Sequence, residues 1–216
     1  MIPRYPWSRG CFAENFPSTL GRIGGKAADE MTVEELRTER LILRRWREAD
    51  RRPFAQMNRD PAVMEFFPAV LSRAESDSMA DRIEAHFDQH GFGLWAAELK
   101  DTGEFIGYIG LAVPRFEAAF TPCVEIGWRL RAQHWGGGLA TEGAQAVLEC
   151  AFGALALSEI VSFTTEANIR SRRVMEKLGM NHDPGEDFDH PWLAAGHRLR
   201  RHVLYRLRSG NWKSVR

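Results

Sequence analysis

The stretch 124–152, VEIGWRLRAQHWGGGLATEGAQAVLECAF, most restricts what this chain can fold into. Val124, Ile126, Trp128 and Leu130 alternate with Glu125, Gly127 and Arg129, the period of two of a half-buried strand. The pattern breaks at Gly136-Gly137-Gly138. Beyond it Ala140, Ala144, Val147, Leu148 and Ala151 fall on one helical face. The reading is strand, glycine loop, helix.

Such an arrangement captures anions. The first N–H groups of a helix have no partner inside it, and the helix dipole adds partial positive charge there. Glycines ahead of the helix let a pyrophosphate approach the backbone without meeting a Cβ. Several nucleotide-binding folds use such a loop, and spacing sorts them. No Gly-Lys-Ser/Thr ending is present, which excludes a P-loop. Counting Gly-x-Gly-x-x-Gly from Gly136 puts Thr141 at the third glycine, so the dinucleotide fingerprint is incomplete. What fits is Gln-x-x-Gly-x-Gly, from Gln133 through Gly136 and Gly138 into Leu139-Ala140-Thr141. On these residues the chain resembles the general N-acetyltransferase (GNAT) superfamily, in which this loop holds the pyrophosphate of acetyl-CoA.

The 216 residues suffice for one domain with a sizeable core. A formal net charge of +0 argues against bulk nucleic-acid or membrane-surface binding, and no apolar run approaches a membrane span. Cys11, Cys123 and Cys150 are scattered and odd in number, which reads as reduced thiols in a cytoplasmic protein without metal spacing. His182, His190, His197 and His202 are too loosely spaced for zinc, so no metal is expected.

Residues 1–30 are rich in Pro and Gly and show neither period. They read as a disordered extension, or as an arm docking through Tyr5, Trp7, Phe12 and Phe16. The domain is expected over 31–208, with a basic tail at 209–216. Along the domain, strands are expected at 41–46, 92–100, 104–113, 123–130, 158–166 and 202–207. Helices are expected at 48–58, 72–90 and 168–178 besides the one after the glycine loop. Residues 181–196 read as a long polar connection. This is an α/β (α+β) pattern: one mixed sheet with helices on both faces. It matches the GNAT order over roughly residues 38–208. The resemblance implies that the sheet is mostly antiparallel and splayed in the middle.

A second family motif is matched at Asn168, Ser171 and Glu176-Lys177-Leu178-Gly179-Met180. The resemblance implies that Asn168 bonds the pantetheine or the product, and that Ser171 lies near the thioester sulfur or a phosphate. Asn168 is also a good helix N-cap, and the two roles are compatible. The opening TERLILRRW, the run WGGGLATEG and the ending HVLYRL look most like the ribosomal-protein-alanine acetyltransferase type. That subgroup implies an α-amino group or small free amine as acceptor.

Acetyl transfer from a thioester needs a neutral amine, and a base helps supply it. It also needs a donor for the developing oxyanion, where one hydrogen bond is worth about 3–4 kcal/mol. Glu125, mid-strand and opposite in face to Ile126 and Trp128, is the candidate base. The alternative is a strand carboxylate paired with Arg45 or Arg129. The resemblance implies an oxyanion donor in the backbone near Arg129. It also implies coenzyme contacts from Leu130, Arg131, Gln133, Gly136, Gly137, Gly138, Leu139, Ala140 and Thr141. Many family members carry a tyrosine acid seven residues after the asparagine. Here that position is Met175, which leaves Ser171 as the acid or the thiolate departing unaided. The missing tyrosine also favours a rival, a non-catalytic acyl-CoA-binding module on the same fold.

Asp183, Glu186, Asp187, Asp189 and His190 make an acidic connection suited to a cationic amine or simply solvated. The stretch from His197 carries many cations and no acid, suited to an acidic partner, the CoA 3′-phosphate or solvent. An apolar sheet edge, usual in such folds, would favour a homodimer.

Overall fold

The computed structural model describes residues 33–213, so the arm at 1–30 and residues 214–216 lie outside them. The described chain opens with strands β1 (Glu35–Arg37) and β2 (Leu41–Arg44), then helices α1 (Arg51–Met57) and α2 (Arg73–His90). Strands β3 (Leu94–Leu99), β4 (Phe105–Ala112) and β5 (Glu125–Leu130) follow. Helix α3 (Leu139–Phe152), strand β6 (Glu159–Thr165) and helix α4 (Ile169–Lys177) come next. The chain closes with β7 (Asn181–His182), β8 (Phe188–Asp189) and β9 (Arg201–Arg208).

The strands form one sheet in the order β1-β2-β3-β4-β5-β6-β9-β7, with β8 also on β9. Every pairing is antiparallel except β5 with β6, which are parallel and share a single register pair, Glu125 with Val161. The expected fold is therefore the one adopted: a mixed, mostly antiparallel sheet that parts in its middle.

Alternation along the strands decides what each face buries. Ile109, paired with Trp128, points to the face covered by α3, where a Cβ on Gly143 would come within 2.4 Å of its side chain. Tyr108, paired with Arg129, points the other way, where the Phe54 ring of α1 meets it edge-on at 6.2 Å. Leu41, Leu43, Phe54, Ile109 and Ile126 are fully buried, each contributing about 1.5–3 kcal/mol of transfer free energy. Helix α2 starts at a capping box between Ser72 and Glu75 and stops at Gly91 in the left-handed conformation.

Three strands have no counterpart in the sequence reading. β1 is too short to show a period. β7 and β8 lie inside the stretch 181–196, with a 3-10 turn at Pro184–Glu186 between them. That stretch is an edge of the sheet rather than a polar connection. The β1 edge is polar: β1 is ELR, with Glu35 and Arg37 exposed. The start of the expected tail is docked: Ser209 donates to the Ser158 carbonyl, and Trp212 packs on Phe152.

Helix α1 is fixed by a buried ion network. The Arg44 guanidinium bonds Asp50 through Nη1 at 2.7 Å and Nη2 at 2.9 Å, and Glu98 through Nε at 2.8 Å. Asp50 also accepts from the Arg47 backbone at 2.7 Å, which anchors the turn leading into α1. Removing one partner of such a network leaves a buried charge uncompensated. Asp50→Ala is expected to cost about 3 kcal/mol, read as a lower urea midpoint at unchanged m-value. A loss under about 1 kcal/mol would mean that the network does not hold the helix.

Candidate functional site

Where β5 and β6 part, the molecule opens into a cleft of about 2320 Å³. Up to Ile126 the strands are joined: the Val161 amide donates to the Val124 carbonyl at 3.0 Å, and the Ser162 hydroxyl to the Ile126 carbonyl at 2.9 Å. Thus Val124 and Ile126 turn their backbone groups toward β6. Farther along, the Arg131 amide donates to Ile106 of the β4 side at 2.8 Å. Backbone direction alternates along a strand. Arg129 therefore faces β4, and the amides of Trp128 and Leu130 face the gap. The sequence reading put the oxyanion donor near Arg129; its neighbours are the ones that face the opening.

The glycine loop sits at one end of this gap. A 3-10 turn at Ala132–His134 leads to Gly136 (φ +80°) and Gly138 (φ +81°), and Gly138 caps α3. Both angles lie in the left-handed region that favours glycine. Among the described residues, no protein acceptor meets the amides of Gly136, Gly137, Gly138, Leu139, Ala140 or Thr141.

The loop is held from behind by Glu142 in the first turn of α3. Its carboxylate accepts from the Thr38 hydroxyl at 2.5 Å, the Arg40 amide at 2.8 Å and Arg40 Nε at 2.6 Å. Arg40 Nη1 also donates to the Gly137 carbonyl at 2.9 Å. Burial alone would raise the Glu142 carboxyl, but these hydrogen bonds outweigh it and hold it below its ordinary range.

Of the residues expected at the site, Glu125, Arg129, Leu130, Gly136, Gly138, Leu139, Ala140, Thr141, Asn168 and Ser171 line the cleft. Arg131, Gln133 and Gly137 do not. The Arg131 and Gln133 side chains both donate to Glu104, at 2.7 and 3.1 Å, and so are spent on protein. Asn168 caps α4: Oδ1 accepts from the Ser171 amide at 3.2 Å, and Nδ2 donates to the Thr164 hydroxyl at 3.0 Å. An amide nitrogen has two donors, so one remains. Met175 is buried at 1% exposure in the core.

Glu125 is half-buried at the cleft and makes no hydrogen bond or ion pair among the described residues. Arg45 is engaged by Glu84 and Asp88, and Arg129 by Asn58, so neither is the partner considered from the sequence. Loss of water pushes the Glu125 carboxyl up to about 8. Burial drives two histidines of the cleft the opposite way, His86 and His190 to about 4, and lowers His202 as well. The Cys123 and Cys150 thiols are pushed up to about 12 and about 11 by burial, so neither is a thiolate near neutrality.

The acidic connection and the basic C-terminal stretch neutralise each other. Arg206 pairs with Glu186 and Glu159 at 2.7 Å each, Arg208 with Glu159 at 3.1 Å, and Arg200 with Asp189 at 3.0 Å. Asp187 bonds His182 at 2.8 Å. These acids are thus occupied by protein partners rather than arrayed for a cationic amine. Sequence reasoning missed an aromatic wall of the cleft: Phe116, Phe163, His190, Trp192 and His202, with Phe116 to His190 at 4.7 Å between ring centres. Its members come from separate loops and strands, so no local pattern marks them. Among the described residues no group of side chains is arranged to hold a metal, and no helix is long and apolar enough to cross a membrane.

A family model described as an acetyltransferase (GNAT) domain matches residues 40–181. The chain is 30% identical over 149 residues to the uncharacterized protein YkkB of Bacillus subtilis, covering 68% of this chain and 86% of that one. It is 32% identical over 149 residues to the uncharacterized N-acetyltransferase YoaA of the same species, covering 67% and 81%. Among solved structures, an acetyltransferase from Agrobacterium tumefaciens superposes with a TM-score of 0.65 at 27% identity, covering 85% of this chain and 99% of that one.

The Glu125 shift has a sign that stability measurements read. Its folded value of about 8 lies above the ordinary 4.5 of the unfolded chain. Its contribution to stability is whole below 4.5 and is lost as pH rises through 8. Glu125→Gln removes the ionisable group. At pH 9 the variant is expected to be more stable than the parent by about 1–2 kcal/mol, a figure reduced for the carboxylate's contact with water. The two should converge near pH 5. Parallel melting curves from pH 5 to 9 would disprove the shift.

Proposed function

As the chain belongs to the acetyltransferase (GNAT) domain family, whose members use acetyl-CoA as co-substrate, we propose that it is an N-acetyltransferase acting on a primary amine by direct attack. The single observation that carries the reading is Glu125, a carboxylate without a protein partner, beside the parted strands and shifted to about 8. In this reading Glu125 accepts the proton that the amine sheds as its nitrogen bonds to the thioester carbon. The amides of Trp128 and Leu130 stabilise the oxyanion. The C–S bond then breaks, and CoA leaves as a thiolate.

The other protein groups fit these roles. His86 and His190 of the cleft are neutral and weakly basic near pH 7, and the two described cysteines are not thiolates, which favours direct attack over an acyl-enzyme. The free amides from Gly136 to Thr141 suit the pyrophosphate. Asn168 retains a donor for the pantetheine or product, and Ser171 is nearby as a proton source for sulfur. A thiol pKa near 8.5 lets the thiolate also leave unaided. The acceptor class implied by the ribosomal-protein-alanine subgroup, a peptide α-amine or a small free amine, is the range to test.

The tests separate binding from chemistry. Gly138→Val puts a β-branched residue at φ +81°, and coenzyme A affinity should fall at least about tenfold by calorimetry. Unchanged affinity would remove the loop from the site. With an acceptor whose amine is neutral from pH 6 to 10, kcat should rise to a plateau with a midpoint near 8, the Glu125 value. Glu125→Gln should lose this rise and about 10²–10⁴ in rate. If the parent binds acetyl-CoA but releases no thiol with any amine of a broad panel, the non-catalytic module is the better reading.

A further inference from the structure

Arg129 is a buried cation without a counterion. It is 7% exposed, yet no carboxylate lies within ion-pair distance among the described residues. Nη1 donates to Asn58 Oδ1 at 2.6 Å, and this is its one nitrogen with a protein acceptor among those residues. Nε is buried with no partner among the described residues. The guanidinium carbon sits 3.8 Å over the centre of the Phe67 ring and 5.4 Å from that of Tyr108. Aromatic faces stabilise a guanidinium from above but leave its in-plane N–H donors unmet. Desolvation costs such a group heavily unless an anion arrives. The other deeply buried arginine, Arg44, shows the usual solution, with Asp50 and Glu98 both bonded to it.

The placement of Arg129 is equally specific. It lines the cleft on the Tyr108 face of β5, opposite α3 and its glycine loop. Glu125 lies four residues earlier on the same face, and the two are not paired. Between them is Gly127, where an added Cβ would meet only Glu125 Oε1, at 4.0 Å. The strand thus presents a carboxylate, a bare floor and a guanidinium in line. Their Cα atoms span roughly 13 Å at about 3.3 Å per residue, a distance that both side chains reach into.

We propose that Arg129 binds a carboxylate on the acceptor, so that the substrate is a small amino acid-like zwitterion lying over Gly127 with its amine at Glu125. This deepens the acetyltransferase reading and rests on Glu125 as the base. A carboxylate suits the site because its two oxygens match the two in-plane donors of Arg129 that have no acceptor among the described residues. The carboxylate takes the in-plane donors that Asn58 leaves unmet, Nη2 and Nε, in two parallel N–H···O bonds.

The test compares amino acids with their carboxamides, which keep the amine and lose the negative charge. Glycine, alanine, methionine, phenylalanine and tryptophan are each assayed against the amide by thiol release from acetyl-CoA. For the best pair, kcat/KM is expected to favour the acid by at least about tenfold. In Arg129→Met the ratio should fall to near one, with coenzyme A affinity kept within about twofold as the check on folding. Gly127→Val serves if Arg129→Met does not fold: its side chain enters open space, so coenzyme affinity should stay while acceptor KM rises. Equal use of acids and amides by the parent, or a preference that survives Arg129→Met, overturns the inference. If no amine reacts, the catalytic reading fails separately. The carboxylate is then read from binding of N-acetylphenylalanine against its amide to the CoA-loaded protein. Preference lost in Arg129→Met upholds it, and equal or absent binding overturns it.

Discussion

The parting of β5 from β6 is the constraint on which the rest depends. The strands share one register pair and then separate, while each is firmly paired on its other side, β5 with β4 over six pairs and β6 with β9 over seven. The sheet is therefore two well-knit halves with a seam. Backbone groups along a seam must find partners, because leaving them unmet and buried costs as much as a lost hydrogen bond. The Ser162 hydroxyl meets the first of them, at the Ile126 carbonyl. The next, on Trp128 and Leu130, are left facing the cleft. A seam between these two parallel strands thus makes an extended slot lined by backbone donors.

A slot is useful only if its walls stay in place, and one short segment fastens both. Thr38 and Arg40 hold Glu142, and with it the start of α3 and the glycine loop. A few residues on, Arg44 grips Asp50 and Glu98 and so fixes α1 on the other face. From α1, Asn58 bonds Ser76 with its amide nitrogen and Arg129 with its oxygen. The coenzyme side and the acceptor side of the cleft are thus tied to the same run of twelve or so residues at the start of the sheet. The cost of burying ions there is offset by geometry: Arg44 makes bidentate contact, the arrangement in which charged hydrogen bonds are strongest.

What could be read from the sequence was what is local. The strand, loop and helix of 124–152 carry their periods and glycines in one stretch, and the structure has them within a residue or two. The cap role of Asn168 is local as well. The failures share a cause. β7 and β8 are two residues each, too short for alternation, and they exist because β9 offers an edge. Gln133 belongs to the motif and Arg131 was an implied coenzyme contact; their side chains donate to Glu104, almost thirty residues away along the chain. The acidic run at 183–189 and the basic run after 197 look like two binding surfaces when read separately. Folded, β9 lies between β6 and the acidic turns, and the two runs cancel.

That cancellation sharpens the electrostatics of the cleft. With these two runs paired to each other, the groups on the β5 face of the cleft stand apart from them. His86 and His190 are held neutral by burial, and the hydroxyl of Tyr108 is pushed up by the same cause. On one face of β5 stand a carboxyl that burial pushes up to about 8 and a guanidinium that burial pushes down. Each is costly for the empty fold, because neither has a counterion among the described residues and both have lost water. Folding alone gives no reason to keep such a pair, since apolar residues of similar volume would pack there at lower cost. A ligand that is cationic at one end and anionic at the other reverses the balance, and it does so only when its two ends match the strand's spacing.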